Sequence, residues 1–137
     1  RMVDRLYENL PEDTEVSVIC GTNERLQKKL DRKYRDADQI HIVGYTKQMS
    51  LYMDSADLCL MKPGGLSATE AAVKKLPMAF INAVAGCEQY NIEYFAKRGG
   101  AVSSPIYRKS TAAFMHCHCM ADNKRLVIPD VWAGDVF

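Results

Sequence analysis

Apolar residues recur along this chain in two alternating rhythms. Short apolar runs, which are typical of buried parallel strands, occupy positions 16–20, 40–43, 57–61 and 78–82. Between these runs, apolar residues repeat every three or four positions, which is the spacing of amphipathic helices. The pattern predicts a further short strand at 101–102 and five helices, over 1–10, 22–34, 49–56, 66–75 and 90–98.

Strands that alternate with helices at this rhythm indicate βαβ units. We therefore predict an α/β fold with a Rossmann-like parallel sheet and helices on both faces. In such sheets, ligands bind outside the carboxyl ends of the strands. Gly21, Gly44, Gly64 and the loop 82–86 each follow a predicted strand, and this favours one shared site over glycines that merely end strands.

Length and composition narrow the range of functions. The chain has 137 residues, about one domain, and its 18 basic and 17 acidic residues leave a net charge of +1. This balance gives no reason to expect a nucleic-acid partner. No apolar run has the length of a membrane span, and two of the five cysteines, Cys20 and Cys59, lie within apolar runs as buried free thiols would. We expect a soluble protein of the reducing cytoplasm.

The segment 62–72 carries the strongest chemical signal. Pro63 ends a predicted strand, and Gly64 and Gly65 allow a sharp turn that leaves no side chain between the backbone and a ligand. The helix that follows offers free amide groups and a positive dipole end, which suit a diphosphate. Ser67 and Glu70 also match a capping box, in which they would bind the helix's own amides. The residues alone do not decide whether Glu70 caps the helix or contacts a ligand.

Two other clusters give weaker signals. Asp36 and Asp38 form a D-x-D triplet of the kind that can bridge a metal to a sugar nucleotide, but a solvated turn is the favoured interpretation. Residues 116–119 read His-Cys-His-Cys, yet four adjacent residues cannot all converge on one zinc ion. No complete catalytic constellation is visible. We predict no catalytic residue, no metal site and no cofactor in this chain.

Four motifs together resemble a known enzyme family. They are K-P-G-G-L-S-A-T-E-A-A at 62–72, G-C-E-Q-Y-N at 86–91, C-G-T-N at 20–23 and V-G-Y at 43–45. In these motifs the chain resembles, over about 16–103, the donor-binding half of a family of GT-B glycosyltransferases. The family comprises the monogalactosyldiacylglycerol synthases, the processive diacylglycerol glucosyltransferases and the peptidoglycan N-acetylglucosaminyltransferase.

The resemblance implies a role for each matching position. The turn at Gly44 and Tyr45 would read the base of a UDP-sugar, and Glu70 would hold its ribose. The other implied donor-nucleotide contacts are Gly21, Asn23, Lys62, Gly64, Gly65, Leu66 and Ser67, and those near the sugar and phosphates are Gly86, Glu88, Gln89 and Asn91. Cys87 stands where the glycolipid branch usually has glutamine, so the resemblance does not specify the sugar.

The resemblance also implies an incomplete enzyme. We expect a single UDP-sugar-binding domain over 1–137, a fragment without its glycine-rich first strand and without the N-terminal acceptor domain that carries the general base. The implied reaction is inverting transfer of a hexose to a lipid such as diacylglycerol, with the full-length protein at the membrane surface and this chain inactive alone. Alternatives are N-acetylglucosaminyl transfer to a polyprenyl-linked precursor, and a non-catalytic nucleotide-binding or protein-interaction module.

The end of the chain is harder to interpret. Residues 121–126 resemble a later helix of the family, and 128–137 match no motif. The sequence leaves open whether 104–137 pack on this domain.

Overall fold

The computed structural model describes residues 2–81, 86–103 and 125–129 of the chain. Within this part there are five helices: α1 Met2–Glu8, α2 Glu24–Lys33, α3 Met49–Ser55, α4 Gly65–Val73 and α5 Cys87–Lys97. The six strands are β1 Glu15–Ile19, β2 Ile40–Val43, β3 Leu58–Met61, β4 Met78–Phe80, β5 Ala101–Ser103 and β6 Arg125–Ile128.

All six strands join one parallel sheet in the order β2-β1-β6-β3-β4-β5. From β1 the chain moves outward to β2, and from β3 it moves in the opposite direction to β4 and β5. The last described strand, β6, fills the gap between the two halves, with Val16 paired to Leu126 and Cys59 paired to Val127. The predicted parallel α/β sheet is thus confirmed.

Helices cover both faces of the sheet. Successive side chains of a strand point to opposite faces, so Leu58 and Leu60 enter one core while Cys59 and Met61 enter the other. The first core receives apolar residues from α1 and α2, and the second receives them from α3, α4 and α5. A sheet buried on both faces explains why its strands are continuous apolar runs in the sequence.

The two cysteines predicted to be buried behave as small apolar residues. Cys20 and Cys59 are free and buried, whereas Cys87 is free and exposed. Burial raises the pKa of the Cys20 thiol to about 11, with Asp31 adding to the shift, and raises that of Cys59 to about 12. Both thiols are therefore protonated near neutral pH.

The structure corrects the predictions at two places. Helix α5 begins at Cys87, three residues before the predicted start at Tyr90. Arg125 and Leu126, predicted to end a helix, instead begin the central strand β6. Residues 104–124, and with them the His-Cys-His-Cys cluster, lie outside the described residues. No helix in the described ranges is long and apolar enough to cross a membrane.

Candidate functional site

The carboxyl ends of the described strands form one edge of the sheet, the carboxyl edge. At one point along it, the direction in which the chain adds successive strands reverses. The switch lies between β1 and β3, at the central strand β6. In open α/β sheets, ligands bind in the crevice at such a point. The turns at Gly21 and Gly64 flank it, and the turn at Gly44 follows neighbouring β2. The predicted convergence of these turns on one edge is confirmed, and Gly86, at the start of α5, belongs to the same edge.

Helix α4 begins at this edge with open amide groups. Its N-cap is Gly64, in an extended conformation with φ −71° and ψ 144°, and no side chain caps the helix. The first helical bond runs from the amide of Ala68 to the carbonyl of Gly64, at 3.1 Å. Within the described chain, the amides of Gly65, Leu66 and Ser67 have no backbone partner. This end of the helix can therefore accept an anion.

The capping-box interpretation of this segment is wrong. A capping box requires Ser67 at the N-cap, but the helix starts earlier, at Gly65, and Ser67 is its third residue. Glu70 lies one turn further along, and its side chain is exposed. Positions three and four apart share a helix face, so Glu70 stands on the same face as Leu66 and Ser67. Its carboxylate is thus available to a ligand beside the helix start.

A hydrogen bond fixes the glycine turn to α5. The side-chain nitrogen Nδ2 of Asn91 donates to the carbonyl oxygen of Pro63 at 2.8 Å. Helix α5 starts behind Gly86, whose φ of +106° favours glycine. The earlier helix start places Glu88 and Gln89 in its first turn, where Glu88 is half-buried and Gln89 exposed. The structure thus joins the motifs 62–72 and 86–91 through Asn91.

At the start of α2, a side chain supplies the cap that α4 lacks. Gly21, with φ +54°, turns the chain after β1. The side-chain oxygen Oδ1 of Asn23 then accepts a hydrogen bond from the amide of Leu26 at 3.0 Å. The resemblance predicts that Asn23 contacts the nucleotide of the sugar donor, and in the structure its side-chain oxygen caps α2. Its side-chain nitrogen remains able to donate a hydrogen bond.

The turn after β2 packs against Gln27 of α2, a residue that the sequence did not single out. Tyr45 is 68% exposed beside Gly44. The side-chain amide of Gln27 lies against Gly44, so that a Cβ added there would be 2.5 Å from Oε1 of Gln27. Gln27 is half-buried in the first turn and a half of α2. A polar residue four positions after the N-cap was the only signal in the sequence that could have indicated it.

A groove of about 770 Å³ runs between α4 and α5, from Thr69 and Asn91 to the far ends of the two helices. Val73, Leu76, Met78, Phe95 and Arg98 are among the residues that line it. It extends toward the amino ends of β4 and β5, because Met78 begins β4 and α5 ends just before β5. Its position therefore does not match the edge where parallel sheets bind ligands.

The D-x-D triplet lies at the edge formed by the amino ends of the strands, opposite the carboxyl edge. Asp36 and Asp38 are exposed in the turns between α2 and β2, before the amino end of β2. This agrees with the predicted solvated turn. Among the residues that the structure describes, no cluster of three or more histidine, cysteine or acidic side chains could hold a metal ion.

Comparison with known proteins identifies the family. The sequence profile of the glycosyltransferase family 28 C-terminal domain matches residues 1–111. The chain belongs to this family. The match covers the glycine turn, α4 and the start of α5, so the motifs that carry the resemblance lie in a domain characteristic of glycosyltransferase family 28. The GT-B resemblance and its Rossmann-like donor-half fold are thereby confirmed.

Curated relatives of this family 28 domain include several proteins with the same name. The processive diacylglycerol beta-glucosyltransferase of Staphylococcus carnosus (strain TM300) is 36% identical over 98 residues, covering 72% of this chain and 25% of the relative. The protein of the same name from Staphylococcus aureus (strain Newman) is 37% identical over 87 residues, covering 64% of this chain and 22% of the relative. The chain spans about a quarter of the length of these relatives.

Proposed function

We propose that this chain is the donor-binding domain of an inverting glycosyltransferase, which moves a hexose from a UDP-sugar to a lipid acceptor such as diacylglycerol. The observation that carries the proposal is the open start of α4 at the sheet's switch point. Membership of the glycosyltransferase family 28 C-terminal domain supports the reaction class. The name of the relatives supports a diacylglycerol acceptor and glucose as the sugar.

The diphosphate would lie on the amides of Gly65, Leu66 and Ser67. These donors and the positive end of the α4 dipole would stabilise the charge that develops on departing UDP. Lys62, half-buried just after β3, would add a positive charge nearby. This arrangement needs no resident metal or cofactor. We expect EDTA to leave the dissociation constant for UDP unchanged.

The remaining predicted contacts would surround the diphosphate. Glu70 would accept hydrogen bonds from the ribose hydroxyls, because its exposed carboxylate stands one turn after the phosphate-binding amides. Gly44 and Tyr45 would border the base. Glu88, Gln89 and the free oxygen of Asn91 would face the sugar from α5.

The acceptor hydroxyl would be deprotonated by a base from an acceptor domain, and its oxygen would displace UDP at the anomeric carbon. The enzyme would then work in the cytoplasm at the membrane surface, where its lipid acceptor lies. We propose that this chain alone binds UDP without transferring sugar. Sugar transfer by the purified chain would contradict this division of labour.

Isothermal titration with UDP tests the proposal. We expect binding by the wild-type chain and about a tenfold loss of affinity for Glu70→Ala, because two hydroxyl hydrogen bonds to a charged group are removed. Thr69→Ala is the matched control, since the Thr69 hydroxyl is already bonded to the carbonyl of Gly65 at 2.7 Å. A wild-type chain that does not bind UDP would refute the proposed function. Unchanged affinity in Glu70→Ala would refute only the ribose contact.

A further inference from the structure

The side-chain amide of Gln27 occupies the place where any other residue at position 44 would put its side chain. A Cβ built on Gly44 would be 2.5 Å from Oε1, 3.0 Å from Cδ and 3.1 Å from Nε2 of Gln27. The whole amide group therefore lies against the backbone of the turn. It is the terminal group of a flexible side chain, so an added methyl group would displace the amide and leave the backbone in place.

Local structure fixes where this amide stands. Asn23 caps α2, and the backbone N–H of Gln27 donates to the backbone carbonyl of Asn23 at 3.0 Å. Gln27 therefore lies one turn from the helix start. Buried Leu26 and Leu30 hold this turn of the helix against the sheet. The last bond between β1 and β2 runs from Cys20 to the carbonyl of Val43 at 2.7 Å. The Gln27 amide therefore stands at the carboxyl edge, just beyond that bond.

Backbone conformation does not explain the glycine at position 44. The positive-φ glycines of the described chain are Gly21, Gly86 and Gly99, and Gly44 is not among them. Another residue could adopt its backbone angles. What glycine provides here is room, and Gln27 occupies that room.

We propose that Gln27 is a specificity-determining residue for the base of the bound nucleotide and that Gly44 is glycine in order to admit its amide. This inference rests on the proposed function, which puts the base at this turn. A primary amide carries two donor hydrogens and one acceptor oxygen. Uracil presents an N–H donor between two carbonyl acceptors, so one amide can match its edge. Cytosine lacks that N–H donor and carries an amino group instead, so the same amide orientation does not fit it.

The proposal is tested by titrating UDP and CDP into wild type, Gln27→Ala, Gly44→Ala and the double variant. Gln27→Ala removes the side-chain amide and Gly44→Ala displaces it, so both variants lose the hydrogen bonds from the amide to the base. Each single variant should therefore lose about tenfold in UDP affinity. The double variant should lose no more than either single one. CDP affinity should change little, so the preference for UDP over CDP should narrow. Lys28→Ala, the next and exposed residue of α2, is the control and should bind like wild type.

Each other outcome overturns the inference in a recognisable way. If Gln27→Ala binds UDP like wild type while Gly44→Ala does not, the glycine makes room for the base itself. Equal losses for UDP and CDP would show a general structural role, as would matching drops in the thermal midpoint. Wild-type binding together with any of these results leaves the proposed function standing. If the wild-type chain does not bind UDP, both proposals fail.

Discussion

Helices α2 and α4 begin at the same edge of the sheet, yet their starts differ. In α2, Oδ1 of Asn23 accepts a hydrogen bond from the amide of Leu26 at 3.0 Å. In α4, the N-cap is Gly64, which has no side chain, and the amides after it have no backbone partner in the described chain. One helix is stabilised by its own cap, and the other is left open.

This difference supports the proposal that the start of α4 binds an external anion. A glycine in place of a capping side chain costs only a few tenths of a kcal/mol, so α4 loses little stability by lacking a cap. The backbone of Gly64 is extended, which is the conformation that capping residues adopt, and a Cβ there would contact nothing within 4 Å. A capping side chain would therefore fit at Gly64. Its absence leaves the amides free for a ligand.

The largest expected effect comes from making α4 resemble α2. In Gly64→Asp, the new carboxylate would cap the helix's own amides and repel a diphosphate. We expect UDP affinity to fall about 100-fold, because the diphosphate loses its hydrogen bonds to the helix amides and is also repelled by the new carboxylate. Folding stability should stay the same or rise by a few tenths of a kcal/mol. Isothermal titration and urea unfolding measure the two quantities separately.

Gly64→Ala is the matched control for this experiment. Alanine adds a Cβ without an acceptor, so it should reduce UDP affinity far less than aspartate does. Equal losses in the two variants would mean that the space at Gly64 matters, and not the open amides. Undiminished UDP binding by Gly64→Asp would contradict the assignment of the diphosphate to α4.

The same contrast shows what the sequence could and could not predict. The turns after the strands were predictable, since Gly21 and Gly64 follow apolar runs whose identity as parallel strands is evident. The start of α4 was ambiguous, because Ser67 and Glu70 have capping-box spacing while Gly64 has no side chain to mark it as the cap. Only the position of the first helical bond separates the two possibilities.

Contacts between segments that are far apart in the sequence were the other feature that could not be predicted. Residues 125 and 126 of the central strand β6 were expected to end a helix, and the strand pairs with strands about 70 and 110 positions earlier in the chain. The bond from Asn91 to Pro63 and the packing of Gln27 on Gly44 likewise join separate motifs. Such contacts depend on the sheet order, which periodicity does not determine.

A smaller effect is expected from removing the cap of α2. Asn23→Ala should lower the free energy of unfolding by about 1 kcal/mol, because the amide of Leu26 loses its acceptor. Urea denaturation measures the loss. Asn23→Ser is the control: it keeps an uncharged acceptor oxygen and should keep the stability. If Asn23→Ser is stable but binds UDP more weakly, the side-chain amide of Asn23 contacts the nucleotide as predicted. Unchanged stability in Asn23→Ala would show that the two helix starts do not differ energetically.

The smallest effect is expected at the carboxyl end of α4. Carbonyl groups at this end are hydrogen-bonded, unlike the amides at its start. The amide of Leu76 bonds the carbonyl of Ala71 at 2.9 Å and that of Lys75 bonds Ala72 at 3.0 Å, the pattern of a Schellman motif. Lys75 has φ 56°, a conformation that favours glycine. Lys75→Gly should therefore stabilise the fold by about 0.5 to 1 kcal/mol in urea denaturation. UDP affinity should not change, because this end is far from the open amides. Lys75→Ala removes the same charge but keeps the Cβ, so an equal gain there would refute backbone strain as the cause.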